Sequence, residues 1–198
     1  ADPPRVLWLG NFRAVKRPEL FLGLARRFPE VRFDMVGGSI AAEPEAFTRA
    51  QEQAAALPNV EFHGPAADPS PFLGRAWALV NTSRVEGFPS SFLEAWAHGV
   101  PTLSFVDPGG VVEREGVGTR VADVDELEHR LAGLLASRAH RDELGRRGRE
   151  YVDRAHRAGS VAAAYERVFT GVRGTDGRAS GARSGRGGPE PGAGPAAG

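Results

Sequence analysis

The segment EGFPSSFLE, Glu86–Glu94, carries two carboxylates eight positions apart. Between them, Gly87 permits close approach of the backbone. Pro89 can open a helix whose first turn holds the polar pair Ser90-Ser91. The start of such a helix offers free N–H groups and a positive end to phosphate, and carboxylates accept hydrogen bonds from sugar hydroxyls. The segment therefore has the groups needed to hold a nucleoside diphosphate that carries a sugar.

Short apolar runs that alternate with helical patterns must position this segment. Five runs predict buried strands, which span Val6–Leu9, Val31–Val36, Val60–Phe62, Trp77–Val80 and Thr102–Val106. Helical patterns lie between them, at Pro18 to Phe28, Glu45 to Leu57, Pro71 to Arg75 and Phe92 to Gly99. This alternation predicts an α/β fold in which helices sandwich a Rossmann-like parallel sheet.

The chain continues with helices and then changes composition. Three further helices are predicted, at Val124 to Leu135, Arg138 to Arg154 and Ser160 to Phe169. Asp123 and Glu126 can form the capping pair of the first of these. Ten of the last 28 residues are glycine, and almost none is apolar. We therefore expect one domain over residues 1–170 and a disordered Gly/Arg/Pro-rich tail over residues 171–198.

The bulk composition excludes several classes of function. The 198 residues carry a formal net charge of zero, so no large field draws the chain to nucleic acid. The absence of cysteine excludes disulfides, thiolate zinc sites and a cysteine nucleophile. No apolar run approaches the roughly 18 residues of a membrane span, and no signal peptide is visible. We expect a cytoplasmic protein without a specific nucleic-acid partner.

Four loops follow the predicted strands at the edge where open parallel sheets bind their ligands. They cover Gly10–Lys16, Gly37-Gly38, His63–Pro65 and Ser83–Ser91. In the first loop, Lys16 and Arg13 can place positive charge on the oxygens of a diphosphate. The alternative is a solvated loop with two ordinary surface cations. Together the loops have the composition of a site for phosphate and sugar.

Each glutamate has two interpretations. Glu94, one turn into the predicted helix, can accept hydrogen bonds from vicinal ribose hydroxyls, or it can simply complement the helix N-terminus. Glu86 can meet a donor sugar, or it can be a turn carboxylate held by nearby backbone N–H groups. Either reading leaves the segment at the ligand-binding edge of the sheet.

Other motifs argue against other chemistries. Asp123-Val124-Asp125 has the D-x-D form of some metal sites, but it opens a Leu-spaced helix and is better interpreted as a cap. The five histidines form no His-x-x-x-His pair, so we expect no metal site. No G-x-G-x-x-G follows the first strand, and Ser90-Ser91 lacks a G-x-S-x-G frame. These absences argue against a dinucleotide dehydrogenase and a hydrolase of that type.

Taken in order along the chain, these segments match a known family. The match runs from about Arg5 to Phe169 and includes VLWLGNFRAVKRPELFLGLA, VRFDMVGG, NVEFHG, EGFPSSFLEAWAHGVPTL and DPGG. The chain resembles the C-terminal, donor-binding domain of retaining glycosyltransferases with the GT-B fold, most closely glycosyltransferase family 4. The glutamate spacing alone is a weak motif, and this order of segments makes it specific.

The resemblance implies a role for each matching position. Lys16, with Arg13 nearby, would bind the donor diphosphate and assist its departure. Glu86 would hold hydroxyls of the transferred sugar, and Glu94 those of the ribose. The other implied donor-binding positions are Gly10, Asn11, Gly37, His63, Gly64, Gly87, Phe88, Pro89, Ser90 and Ser91. The resemblance also implies that no cofactor or metal is needed, because cations and a helix N-terminus neutralise the diphosphate.

The chain departs from the family in two ways. The family often has Gly-Arg where this chain has Gly10-Asn11, so Arg13 would supply that charge from two residues further on. An N-terminal domain that binds the acceptor has no room in 198 residues. We therefore expect a fragment, a truncated form or a subunit completed by another chain, inactive alone. Any peripheral membrane association would come from that missing domain.

Two other functions remain as alternatives. The first is a non-catalytic module that binds a nucleotide sugar or another protein through the same fold. The second is an epimerase or phosphorylase related to the GT-B enzymes. An epimerase would invert a centre of a nucleotide sugar, and a phosphorylase would need a phosphate-dependent reaction.

Overall fold

A computed structural model describes residues 3–156 of the chain and contains one parallel sheet there. Its strands are β1 Arg5–Leu9, β2 Arg32–Val36, β3 Val60–Gly64, β4 Ala78–Asn81, β5 Thr102–Ser104 and β6 Gly118–Arg120. Their order in the sheet is β3-β2-β1-β4-β5-β6, and every neighbouring pair is parallel. The sequence-based prediction of a Rossmann-like parallel sheet is confirmed.

Helices connect the strands and cover the sheet. They are α1 Pro18–Arg27, α2 Pro44–Ala55, α3 Ser70–Leu73, α4 Ser90–Ala97, α5 Val111–Arg114, α6 Val124–Ala136 and α7 Arg138–Ala155. Two short 3₁₀ turns lie at Ala14–Lys16 and Pro108–Gly110. Within residues 3–156, no helix has the length and apolar character needed to cross a lipid bilayer.

Both faces of the sheet are buried because successive side chains of a strand point in opposite directions. On β1, Val6 and Trp8 belong to one core cluster, which includes apolar residues of α1, α2 and α6. Leu7, between them, belongs to the other cluster, which includes apolar residues of α3, α4, α5 and α7. The described residues thus contain a complete three-layer core.

The elements differ from the predictions in a few places. The sequence reading missed β6 and α5, which are only three and four residues long and carry no clear apolar period. The predicted cap of α6 is confirmed, since the Asp123 carboxylate accepts from the Glu126 N–H at 2.8 Å, and the Glu126 carboxylate from the Ala122 N–H at 2.9 Å. The predicted helix at Ser160 to Phe169 and the domain boundary at residue 170 lie outside the described residues.

Two glycines let α7 lie directly on α4, the helix that follows residues 86–89. A Cβ added at Gly145 would lie 2.2 Å from the carbonyl oxygen of Gly99. A Cβ at Gly148 would lie 3.1 Å from the Cβ of Trp96. Gly99 itself ends α4 with φ +73°, as predicted for the residue after a helix. This contact between α7 and α4 fixes the position of α4.

We predict that Gly145→Ala destabilises the protein by about 1–3 kcal/mol, the usual cost of an overpacked core. The new methyl group would collide with main chain, which cannot rotate away. Urea unfolding measures the change. Gly133→Ala on α6 is the matched control, since nothing lies within 4 Å of its added Cβ. That substitution should leave stability unchanged or raise it by about 0.5–1 kcal/mol. Equal midpoints for the two variants would contradict the tight contact.

Candidate functional site

A cleft of about 510 Å³ opens at the carboxyl ends of β1 and β2, beside residues that follow β4. The strand order reverses at this point, because β1 pairs with β2 on one side and with β4 on the other. Open α/β sheets bind ligands at such a reversal. The residues that line the cleft are Leu9, Gly10, Asn11, Arg13, Lys16, Val36, Gly37, Gly38, Pro65, Ala66, Ala67, Pro69, Glu86, Pro89, Ser90, Ser91 and Glu94.

A buried aromatic ring fixes the β1 loop, which we define as residues 10–16. Phe12 is fully buried, and its ring centroid lies 4.7 Å from that of Trp8 and 4.9 Å from that of Phe62. The residues on either side, Asn11 and Arg13, are exposed and line the cleft. The apolar anchor therefore holds the loop while its polar neighbours face the ligand side.

The floor of the cleft is bare main chain. A Cβ on Gly37 would lie 1.7 Å from the carbonyl oxygen of Gly10, so only glycine fits there. The Gly10 N–H donates to the carbonyl of Val36 at 3.0 Å, and the Gly37 N–H to the carbonyl of Gly64 at 2.8 Å. These bonds extend the ladder of β1, β2 and β3 into the loops. Because Gly10 and Gly37 have no side chains, their main chain lines the cleft directly.

Lys16 and Glu86 form an ion pair at the edge of the cleft. The Glu86 Oε1 also accepts from Ser83 Oγ at 2.6 Å and from Asn81 Nδ2 at 3.2 Å. Burial raises the pKa of Glu86, but the hydrogen bonds from Lys16, Ser83 and Asn81 outweigh it and hold the pKa below its ordinary value of 4.5. The carboxylate is therefore charged and fixed at neutral pH.

Hydrogen bonds join the β1 loop to the β4 loop, which we define as residues 82–89. The Thr82 hydroxyl donates to the Lys16 carbonyl at 2.5 Å and accepts from Trp8 Nε1 at 3.1 Å. The Arg84 N–H donates to the Val15 carbonyl at 2.9 Å. Lys16 and Glu86 meet because these bonds set the two loops side by side.

Arg17 strengthens the same junction from an unusual backbone conformation. It is the only non-glycine residue with positive φ, at +48°, among residues 3–156. Its Nε donates to the Thr82 carbonyl at 2.7 Å, and its guanidinium lies 4.5 Å above the ring of Phe105. These contacts compensate the cost of the left-handed conformation, which for a non-glycine residue is about 1–3 kcal/mol.

The start of α4 is open toward the cleft. Pro89 is its N-cap residue and supplies no side-chain hydrogen bond. The N–H groups of a first helical turn have no partner within the helix, so those of Ser90 and Ser91 can bind a ligand. Both residues line the cleft, as does Glu94 one turn later. From residues 3–156, no hydrogen bond or ion pair reaches the Glu94 carboxylate.

Ten of the predicted site residues line the cleft, and four do not. The structure does not bring His63 into the cleft, because His63 Nε2 binds the buried carboxylate of Asp34 at 2.7 Å. Its ring centroid lies 4.7 Å from that of Phe72. Gly64 lies beneath the cleft instead and supports Gly37 through its carbonyl. These are the last two residues of β3, and the His63 ring packs against Phe72 of α3.

Gly87 and Phe88 lie at the rim rather than in the lining. Gly87 is exposed, and an added Cβ would meet nothing within 4 Å. The Phe88 ring turns away from the cleft, 6.2 Å from the ring of Trp96 and 5.7 Å from that of His156. Any role for these two residues in donor binding would therefore be through the backbone.

The sequence reading missed Ala66, Ala67 and Pro69, which line the cleft after β3. Their side chains are small and carry no hydrogen-bonding group, so no chemical motif marks them. Only their position just after a predicted strand could have indicated them. They were not included because the predicted loop ended at Pro65. This part of the wall can recognise a ligand only by shape and main-chain groups.

A charged cluster on β2 and β3 has the composition of a metal site. The carboxylates of Asp34 and Glu61 and a ring nitrogen of His63 lie within 4.8 Å of one another. The Asp34 carboxylate already accepts from Arg5 Nη1 at 3.2 Å and from Arg75 Nη2 at 2.9 Å. Two guanidinium groups would repel a divalent cation there. We interpret the cluster as an ion-pair network that holds β1, β2, β3 and the turn after α3 together.

Arg13 is present in the cleft but is not free. Its Nε lies 3.3 Å from Glu43 Oε1, and Glu43 Oε2 also accepts from the Ala14 N–H at 2.6 Å. The hydrogen bond from Ala14 is the main reason that the pKa of Glu43 is lowered. A phosphate that binds Arg13 would therefore compete with a partner already in place.

The chain matches a known family model. The model for "Glycosyl transferases group 1" matches residues 3–137. The D-inositol 3-phosphate glycosyltransferase of Mycolicibacterium paratuberculosis is 32% identical over 149 residues, which is 70% of this chain and 33% of that protein. The chain thus spans about a third of the length of the curated relatives that it matches.

Solved structures share the fold. Sucrose-phosphate synthase from Thermosynechococcus elongatus superposes with a TM-score of 0.74 at 26% identity, over 88% of this chain and 46% of that one. HepE from Anabaena, solved in complex with UDP, has a TM-score of 0.75 at 17% identity, over 84% of this chain and 48% of that one. The sheet is that of the C-terminal half of a GT-B protein.

We predict that Glu86 contributes stability that depends on pH. Its folded pKa is lowered, so the contribution is fully present above the ordinary value of 4.5 and is lost as pH falls below it. Urea unfolding of the wild type and Glu86→Gln between pH 7 and pH 3 measures this. The stability advantage of the wild type should shrink toward pH 3. A stability difference between wild type and Glu86→Gln that stays constant with pH would contradict the prediction. The control is Glu52→Gln, which changes an exposed residue of α2.

Proposed function

Because this chain belongs to the group 1 glycosyl transferases, we propose that it is the donor-binding half of an enzyme that transfers a sugar from a nucleoside diphosphate to an acceptor. One observation carries the proposal. A single cleft at the strand-order reversal joins a lysine, an uncapped helix start and two carboxylates. That combination suits a ligand with a diphosphate between two groups that bear hydroxyls.

The diphosphate would bind between the β1 loop and the start of α4. Lys16 and Arg13 provide positive charge on one side, and the N–H groups of Ser90 and Ser91 provide donors on the other. The glycine floor lets phosphate oxygens approach the main chain of Gly10 and Gly37. This arrangement stabilises the negative charge that develops as the diphosphate leaves, so the reaction needs no metal.

The two carboxylates would hold the ends of the donor. Glu86 Oε1 is saturated by three donors, whereas no donor within residues 3–156 reaches Oε2. Oε2 can therefore accept from hydroxyls of the transferred sugar. The Glu94 carboxylate, unpaired in the described residues, can accept from the ribose. The small residues after β3 would border the base.

Transfer would proceed with retention and would require a second domain. The curated relatives are about three times as long as the part that this chain matches. An acceptor domain, in the same chain or another, would place the acceptor against the open side of the cleft. Val85 and Phe88, exposed to 65% and 43%, lie in the β4 loop at this rim. They provide apolar surface for that contact, and they equally suit a non-catalytic interaction module.

We predict that the chain binds a nucleoside diphosphate and that Glu94→Ala weakens this binding by about 1–3 kcal/mol, as for a lost hydrogen bond to a charged group. Titration calorimetry with UDP, GDP and ADP measures the affinities. The matched control is Glu52→Ala, an exposed glutamate on α2 that does not line the cleft. Unchanged affinity in Glu94→Ala would remove this residue from the site. EDTA should leave the affinity unchanged.

We also predict that the chain alone transfers no sugar although it binds the donor. The groups proposed to bind the donor line the cleft, but nothing in residues 3–156 covers its open side. A coupled assay for release of UDP, GDP or ADP from the nucleotide sugars, with sugar alcohols and phosphates as acceptors, should show no turnover. Turnover by the isolated chain would contradict the need for an acceptor domain. Epimerised or phosphorylated sugar in the same assay would identify the alternative enzyme classes.

A further inference from the structure

Glu86 neutralises the cation that the diphosphate needs. The Lys16 ammonium pairs with Glu86, and the two side chains are only 21% and 11% exposed. A partly buried pair is poorly screened, so each charge largely cancels the field of the other. A diphosphate that enters the cleft therefore meets a lysine whose charge is already balanced, next to a carboxylate that repels it.

The carboxylate cannot simply move away from the phosphate. Ser83 and Asn81 both donate to the Oε1 that Lys16 binds. Asn81 in turn accepts from the Ser83 N–H at 3.0 Å through its Oδ1. Both residues are buried, at the end of β4 and just after it. The repulsion is thus built into a rigid part of the site.

A sugar on the diphosphate changes this balance. Its hydroxyls can donate to Glu86 Oε2, which receives no donor from the described residues. Hydrogen bonds to a carboxylate are among the stronger ones, so they offset the repulsion of the phosphate. A free nucleoside diphosphate has hydroxyls only on its ribose and none beyond the diphosphate, so it bears the full cost of the repulsion.

We propose that Glu86 is a specificity-determining residue that makes the cleft favour a nucleoside diphosphate carrying a sugar over the free nucleoside diphosphate. The inference rests on the proposed function, since it assumes that the diphosphate binds at Lys16. It goes further by assigning Glu86 an opposing effect on two ligands, the donor and the product that remains after transfer. Weak binding of that product would limit inhibition.

The experiment measures affinity for free UDP, GDP and ADP in the wild type, Glu86→Gln and Glu86→Ala. Both variants should bind the diphosphate about three- to tenfold more tightly, because a partly buried charge next to Lys16 is removed. In a Lys16→Gln background the same substitutions should still give a gain, because the repulsion between the Glu86 carboxylate and the phosphate remains. Glu52→Gln makes the same change in net charge on α2 and should have no effect.

A second series uses UDP-glucose, UDP-galactose, UDP-N-acetylglucosamine, GDP-mannose and ADP-glucose. For at least one of these, Glu86→Gln should give a smaller gain than for its free diphosphate, or a loss, because the charge-assisted hydrogen bonds from the sugar hydroxyls to Oε2 are lost. Thermal unfolding confirms that each variant is folded. An equal gain for every nucleotide sugar overturns the inference.

The remaining outcomes separate the two proposals. If the folded wild type and its variants give no binding heat with any nucleotide, the proposed function fails and the inference fails with it. If the wild type binds a diphosphate and Glu86→Gln binds it equally or more weakly, the inference alone is overturned. A gain that disappears in the Lys16→Gln background overturns it too, because the repulsion between the carboxylate and the phosphate does not require Lys16.

Discussion

The hydrogen bonds between the β1 loop and the β4 loop are the constraint on which the cleft depends. The Thr82 hydroxyl links the two loops because it binds both the Lys16 carbonyl and the Trp8 indole. The Arg17 side chain donates to the Thr82 carbonyl. Lys16 and Glu86 are 70 positions apart in sequence, yet these bonds leave them little freedom to separate. A parallel sheet brings the two loops to one edge, and their side-chain bonds set the register within it.

This junction makes the charges of the cleft preorganised. Preorganised groups do not have to be oriented when the ligand arrives, so they stabilise developing charge at little cost. The same rigidity means that opposite charges in the cleft are already paired. Lys16 pairs with Glu86, and Arg13 pairs with Glu43. Affinity then depends on what a ligand offers to the anions as well as to the cations. Such a cleft can distinguish ligands that share one diphosphate.

The sequence could predict the parts of the cleft that follow from periodicity and strand ends. Alternating elements gave the parallel sheet, and the loops after β1, β2 and β4 lie where that sheet requires them. It could not predict the direction of His63, because that depends on Asp34, a buried charge 29 positions earlier. Phe88 turned outward for a similar reason, since its ring packs near Trp96 and His156. Long-range contacts of single side chains leave no local pattern.

The two core clusters explain how the cleft can form from residues 3–156 alone. Each face of the sheet is covered by helices within residues 3–156, so burial alone supports the fold. α7 lies on α4 through Gly145 and Gly148, and α4 in turn presents its uncapped start to the cleft. The geometry of the proposed donor cleft is therefore fixed by packing within residues 3–156. A partner domain would have to supply only an acceptor and a cover, and the exposed side chains of the β4 loop leave the rim open for that contact.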